Sequence, residues 1–487
     1  MANYTGAAMG AFENEEIILL RHRVRVAMAE EVLKEVAKRA VHLHDGSNLT
    51  YLLEAVSKAR VVMLGEASHG THDFYHWRSV ITQRLIEEYG FHFVAVEGDW
   101  PAAQTLNREL LVPASRGRLN VQQSGTISEH LKKSFHRWPS WMWANKETEA
   151  FIDWARHFNA NKGGAVRFYG LDIYSLFDSI DAVLTNLDKI KPPLAEKARA
   201  QYACFDPYGR DEQQYMNSLF EWPEGCKAQA IKVLHDLRRK HFEIRTEEDE
   251  DVVMDIVQNA KIAVGAEKYY RSVMFGKSPD SWNVRDTHMI DTLDMLLGHT
   301  PNKSGAIVWA HNTHIGDYRA TSMMKEGTVN LGGLARERYG EDAVALVGFG
   351  THRGSVIASN KWGGRVQKMT VPAAKEGTFD DLFHRITIAG SLPNQYYLVF
   401  RAVGTAEQKE EGKVVNLKEL AKWRGQRAIG VVYTPSTERW GNYVPTQLSK
   451  RYDAFIFVDL SEALRPLAHL ERYEDLTEIP ESWPMGV

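Results

Sequence analysis

The feature that most constrains this chain is a recurring pair: a short apolar run, then ionisable residues at its end. VVML (61–64) runs into Gly65, Glu66 and, three residues on, His69. FHFVAVE (91–97) ends in Glu97, and AVRFYGLD (165–172) in Asp172. GAIVWAHN (305–312) ends in His311 and Asn312, with His314 two residues on, and DAVALVGFG (342–350) is followed by Thr351, His352 and Arg353. Between the runs, residues 72–89 and 147–160 carry helical periodicity, and Trp100-Pro101 opens another helix. Strands alternating with helices imply βαβ units and a parallel sheet. YYLVF (396–400), AIGVVY (428–433) and DAFIFVDL (453–460) read as later strands. Residues 14–43 read as an exposed amphipathic helix.

The stretch 176–298 breaks this rhythm, with no strand signal and many Glu, Lys, Arg, Leu and Ala residues. It reads as a helical insertion. The charge run RTEEDEDVVMD (245–255) within it reads as a solvated helix face or turn. The expectation is one α/β domain spanning 1–487. Its central sheet is mostly parallel and flanked by helices, and the large helical insertion forms a cleft.

Composition narrows the function classes. Of 487 residues, 44% are hydrophobic and 25% charged, ordinary values for a globular protein. A net charge of −4 with mixed signs lacks the basic footprint of a nucleic-acid binder. No apolar run approaches the roughly 18 residues that span a bilayer, and MANYTGAAMGAFENEEIILL lacks the pattern of a secretory signal. Two cysteines, Cys204 and Cys226, argue against a secreted disulfide scaffold and for a reducing cytoplasm. No membrane or nucleic-acid partner is expected, and oligomeric state is left open.

In open α/β sheets ligands bind outside the carboxyl ends of the strands. Parallel strands would therefore gather Glu66, His69, Glu97, Asp172, His311, His314 and His352 on one rim. Several chemistries fail on spacing. Glu66-Ala67-Ser68-His69-Gly70 has a glutamate where a nucleophile elbow needs its first glycine. Gly348-x-Gly350 is followed by Arg353, so the dinucleotide fingerprint fails, and no H-E-x-x-H occurs. Two readings stand. One is a divalent metal held by Glu66, Glu97 and the histidines, since His72/His76 and His311/His314 have helical ligand spacing. The other is proton transfer without metal or other cofactor. There Glu66 orients the His69 imidazole to take a proton from water. Glu97 holds that water, and Arg78 or a protonated His311 or His314 stabilises an oxyanion. His72 and His76 read as helix-face residues.

These residues resemble the erythromycin esterase family. The resemblance rests on Gly65-Glu66-Ala67-Ser68-His69-Gly70-Thr71, Arg78, Glu97 and His311-Asn312-Thr313-His314, with 31 residues from Glu66 to Glu97. FYGLDIYS (168–175), WPSWMW (138–143), NVRDTHM (283–289) and YTPSTERWGNY (433–443) support it, and it runs from about 55 to 465. It implies a carboxylic ester hydrolase that opens an ester or macrolactone of a bulky, macrolide-like natural product. His69 would be the general base and Glu66 its partner, with Glu97, Arg78, His311 and His314 completing the site. Asp172, Trp141, Trp143, Arg285 and His352 are the expected substrate contacts. Trp138, Phe205, Tyr208, Trp222 and Trp282 are further candidate walls of a wide cleft. Asp73 stands where a longer Glu is expected, which would alter the surroundings of Arg78. The same rim could instead serve elimination, cyclisation or group transfer, and a binding protein without catalysis is the third possibility.

Overall fold

The computed structural model describes residues 33–44, 46–111, 125–162, 166–245, 250–300, 305–403 and 418–468. The strands in chain order are β1 (Val41–His42), β2 (Val61–Leu64), β3 (Phe91–Val96), β4 (Arg167–Gly170), β5 (Gly305–Trp309), β6 (Val344–Ala358), β7 (Gln367–Val371), β8 (Gln395–Val399), β9 (Trp423–Arg427), β10 (Tyr443–Gln447) and β11 (Ala454–Ser461). Nine of them form one sheet in the order β1-β8-β11-β6-β2-β5-β3-β4, with β7 paired to β6. The span from β11 to β4 is parallel throughout. β8 and β1 extend it antiparallel. β9 and β10 form a separate antiparallel pair.

The central strands have unbroken apolar sequences because both faces of the sheet are covered, as βαβ crossovers require. Alternate residues divide between two cores. Val62, Leu64, Val94, Val96, Ile307 and Trp309 pack into one cluster. Val61, Met63, Phe93, Ala95, Ala306 and Val308 pack into the other. A strand's period of two therefore sorts each run cleanly between the faces.

Four expectations need correction. β6 does not stop at Gly350 but runs to Ala358, because its second half pairs with β7 and β11. AIGVVY is not a sheet strand. It crosses beside the site as an extended segment, where Ile429 N–H donates to Ala67 O (2.8 Å) and Ser359 N–H to Val431 O (3.0 Å). Of the amphipathic stretch 14–43, residues 1–32 lie outside the described residues, and the rest is a helical turn at 33–37 followed by β1. The charge run is only partly a solvated face. Residues 246–249 lie outside the described residues and Glu250 and Asp251 are exposed, but Asp255 is buried. Its carboxylate accepts hydrogen bonds from Trp100 Nε1 (2.8 Å) and Arg108 Nη1 (3.0 Å). Burial raises its pKa against those partners.

Between β4 and β5 lie the helices Leu176–Ile190, Pro192–Tyr202, Glu212–Ser218, Lys227–Arg245, Glu250–Phe275 and Asp280–His299. They share an apolar cluster of their own that includes Val183, Leu187, Tyr215, Leu237, Ile256 and Tyr270. Cys204 and Cys226, read above as residues of a reducing compartment, are joined in a disulfide within this cluster. Among the described residues no helix is long and apolar enough to cross a membrane.

Candidate active site

The site begins where β2 ends. A Cβ on Gly65 would lie 2.1 Å from Asn312 Oδ1, and one on Gly70 only 1.9 Å from Ile357 O. Glycine at both positions lets the Glu66–His69 turn press against the segment after β5 and against β6. The chain then enters the helix His72–Tyr89.

Glu66 and His69 are both buried, and His69 Nδ1 lies 2.9 Å from Glu66 Oε1. A carboxylate only accepts, so Nδ1 carries the proton and Nε2 is left basic. Nε2 has no hydrogen-bond partner among the described residues, and His69 lines a cavity. Arg78 is fully buried behind this pair, with Nη2 2.9 Å from Glu66 Oε2 and its guanidinium 4.2 Å from the Tyr75 ring centre. It neutralises Glu66 and does not line the cavity, so the oxyanion role expected of it is not supported by its position. Asp73 accepts from Gln395 Nε2 and Glu462 N–H (both 2.8 Å) rather than standing against Arg78.

Glu97 follows β3 and is held on three sides. Arg285 Nη2 donates to Oε1 (2.7 Å), His311 N–H donates to Oε2 (2.9 Å), and His314 Nε2 lies 3.3 Å from Oε1. Burial opposes its charge, but the His314 and Arg285 cations outweigh burial and hold the carboxyl well below its usual range. Arg285 also clamps Asp172, through Nε (3.0 Å) and Nη2 (2.7 Å), in a bidentate pair.

The two histidines after β5 differ in charge. His314 is fully buried, with Nδ1 3.0 Å from both Asp286 oxygens and its ring stacked on Trp282 at 4.4 Å. Burial works against its cation, but Asp286 and Glu97 prevail and raise its pKa to about 9. Its Nε2 faces an acceptor, Glu97 Oε1, and a donor, Arg285 Nη1 at 3.0 Å. The raised pKa puts a proton on Nε2 at neutral pH, directed at Glu97. The contact with Arg285 is then a hydrogen bond only in the neutral form. His311 is the opposite case. Burial, then the nearby His69, push its pKa well below 6.5. Thr313 N–H donates to its Nδ1 (3.3 Å), so the proton of this neutral ring sits on Nε2. That buried N–H completes no hydrogen bond of good geometry among the described residues, although the Ala67 carbonyl lies near enough to favour its proton. The ring lies 4.9 Å from that of His69, and His311 does not itself line the cavity.

The cavity over this floor has His69, Glu97, Asp172 and Arg285 at its base. Phe135, Trp138, Trp143, Tyr174 and Trp362 form an aromatic collar, and Arg137 and Asp99 pair at the half-exposed mouth (3.3 Å). Its solvent space is about 80 Å³, much narrower than the wide cleft expected. Trp143 also donates to Glu97 O (2.9 Å).

Other expected residues lie elsewhere. Trp141 is buried core and does not line the cavity. His352 stacks on His384 at 3.7 Å and lies away from the rim, because β6 carries it past the strand ends. Phe205 packs in the insertion core with Tyr208 against it, and Trp222 is exposed. His72 bonds Glu147 (2.7 Å) and stacks with His76, so both belong to the helix face. The Ser68 hydroxyl pairs with that of Thr71 rather than with an imidazole. Among the described residues no three His, Cys, Asp or Glu side chains are placed to hold a metal ion. The sequence reading missed Asp99, Arg137, Asp286 and Trp362. Asp99 stands two residues past Glu97, and Asp286 beside Arg285. Trp362 left no signal.

Comparison with known proteins places this architecture. The family model described as erythromycin esterase matches residues 86–461. A protein of Bacillus subtilis (strain 168) named "Putative hydrolase YbfO" is 20% identical, over 89% of this chain and 92% of its own length. A Bacillus cereus protein of known structure superposes with a TM-score of 0.71 at 20% identity, covering 90% of this chain and 99% of that one. A mutant of the erythromycin esterase EreC in its open conformation superposes with a TM-score of 0.58 at 16% identity, covering 86% of this chain and 95% of that one.

Proposed function

The chain belongs to the erythromycin esterase family, and on that premise we propose that it hydrolyses a carboxylic ester or lactone with water activated by His69. The observation that carries the proposal is the buried Glu66–His69 hydrogen bond, which leaves Nε2 basic at the cavity floor. In this reading Nε2 takes a proton from water as the water oxygen bonds to the acyl carbon. The carbonyl oxygen becomes an oxyanion at the cavity floor, where the buried His311 ring stands behind His69, 4.9 Å from it, with its Nε2–H as the donor in this reading. Collapse breaks the carbon–oxygen ester bond, and His69 returns its proton to the leaving alkoxide. Glu66, paired with Arg78, stabilises the imidazolium formed on the way. No cofactor is required for these steps.

A bulky macrolide-like substrate is what the family name suggests, and EreC is named as an erythromycin esterase. The test of the chemistry does not depend on that. Replacing His69 by Ala is expected to lower turnover by about 10²–10⁴-fold, the usual contribution of a general base, with circular dichroism unchanged. Turnover that survives the replacement would rule out His69 as the base. Hydrolysis in heavy-oxygen water should label the product carboxylate. An unlabelled product would turn the reading towards elimination, cyclisation or group transfer.

A further inference from the structure

Resting on this hydrolase reading, we infer that the site takes a compact, uncharged ester or lactone, and that Trp138 and Trp362 set its size limit. The cavity offers about 80 Å³. Pockets for drug-sized ligands run to about 300–1,000 Å³. The limit is structural. Trp138 follows the helix Ile127–Ser134, and Trp362 lies in the loop between β6 and β7. Their rings meet edge to face, with centroids 4.5 Å apart. Both are more than nine-tenths buried, at 6% and 8% exposure, so the pair closes the collar from two separate parts of the chain. A macrocycle would have to part them.

The charge limit comes from pairing. Arg78 pairs with Glu66, Arg285 is shared by Glu97 and Asp172, His314 is shared by Glu97 and Asp286, and Arg137 meets Asp99. An ionic group on the substrate would enter an aromatic collar with every counter-ion already engaged. Three polar groups are left over: His69 Nε2 and Trp138 Nε1–H, which line the cavity, and His311 Nε2–H, buried beside His69. His69 takes the proton of water and the N–H groups remain for uncharged oxygens, which suits a neutral ester.

The experiment compares kcat/KM of the full-length protein on phenyl acetate, δ-valerolactone, erythromycin A, and the isosteric pair 3,3-dimethylbutyl acetate and acetylcholine. The expected result is that phenyl acetate or δ-valerolactone exceeds erythromycin A by about tenfold or more, and the neutral isostere exceeds acetylcholine similarly. Trp362→Ala should raise the ratio of erythromycin A to phenyl acetate turnover by about tenfold, and Trp138→Leu is the second variant should the first not fold. Erythromycin A opened as fast as the compact esters overturns the size limit and leaves the hydrolase reading standing. Faster hydrolysis of acetylcholine than of its isostere overturns the charge limit. An unchanged ratio in a folded tryptophan variant overturns the role given to the pair. Hydrolysis of none of these compounds overturns the hydrolase reading itself, and this inference with it.

Discussion

At the residue scale, the two histidines that follow β5 show how one short stretch supplies opposite chemistries. Both are fully buried, and burial alone would make both neutral. Asp286 and Glu97 reverse this for His314, whereas at His311 burial and the nearby His69 outweigh the pull of Glu97. Two predictions follow from the difference. If His311 Nε2–H meets the oxyanion, His311→Ala should lower kcat by about 10²–10³-fold with little change in KM. Steady-state kinetics on phenyl acetate checks this, and a loss confined to KM would reassign His311 to substrate binding. His314 has a stability consequence. Its folded pKa of about 9 lies above the ordinary value of 6.5, so the native state binds a proton that the unfolded chain releases. The resulting stabilisation is full below pH 6.5 and fades as pH rises through about 9. Urea unfolding of the wild type and of His314→Gln from pH 6 to 10 should therefore show a gap that narrows with pH. A gap that stays constant would mean that His314 contributes packing alone.

At the scale of elements, the strand ends were legible and the strand lengths were not. Glu66, Glu97, Asp172 and His311 converge as expected because an apolar run buried on both faces has to stop where ionisable residues begin. β6 defeats that rule. Thr351 and His352 are buried polar residues inside a strand, Thr351 bonded to Ser461 and His352 stacked on His384, so polarity there did not mark an end. The edge strands β1, β7, β9 and β10 were also missed, since short or half-exposed strands lack a continuous apolar run. The turn after β2 depends on two close backbone approaches that the G-E-A-S-H-G spelling does record. At Gly70 the obstacle is a carbonyl oxygen of β6, which cannot rotate aside as a side chain would. Gly70→Ala should therefore destabilise the fold by about 1–3 kcal/mol or more, the cost of overpacking. It should also displace His69 and lower turnover. Chemical unfolding and phenyl acetate kinetics together check this. A variant of wild-type stability would show that β6 yields at that point.

At the scale of the whole molecule, the helices between β4 and β5 are tied to the sheet by a few buried charges. Asp255 receives Trp100 and Arg108 at one point, and Arg285 reaches Glu97 and Asp172 at another. The sequence marked 176–298 as a helical stretch by its missing strands. It marked Arg285 as a substrate contact, but gave no sign that one guanidinium holds two strand-end carboxylates together. Such a contact joins residues 113 and 188 positions apart, and no local pattern encodes it. Removing it tests its weight. Arg285→Met keeps most of the side-chain length but leaves Glu97 and Asp172 buried with less compensation, and breaking a buried pair in this way costs about 3–5 kcal/mol. The deficit should depend on pH with a definite sign. In the wild type the Glu97 carboxyl is held well below its ordinary value of 4.5. Its pairing therefore stabilises the fold above that value, and the stabilisation is lost as pH falls through the lowered folded pKa. In the variant the Glu97 carboxylate has less reason to stay charged and takes up its proton sooner. Unfolding midpoints should thus differ most near pH 7 and draw together as the pH falls below 4.5 towards the lowered folded pKa of Glu97. A difference that persists undiminished down to pH 3 would mean that Arg285 joins the helices to the sheet by packing against Tyr174 and its neighbours rather than by charge.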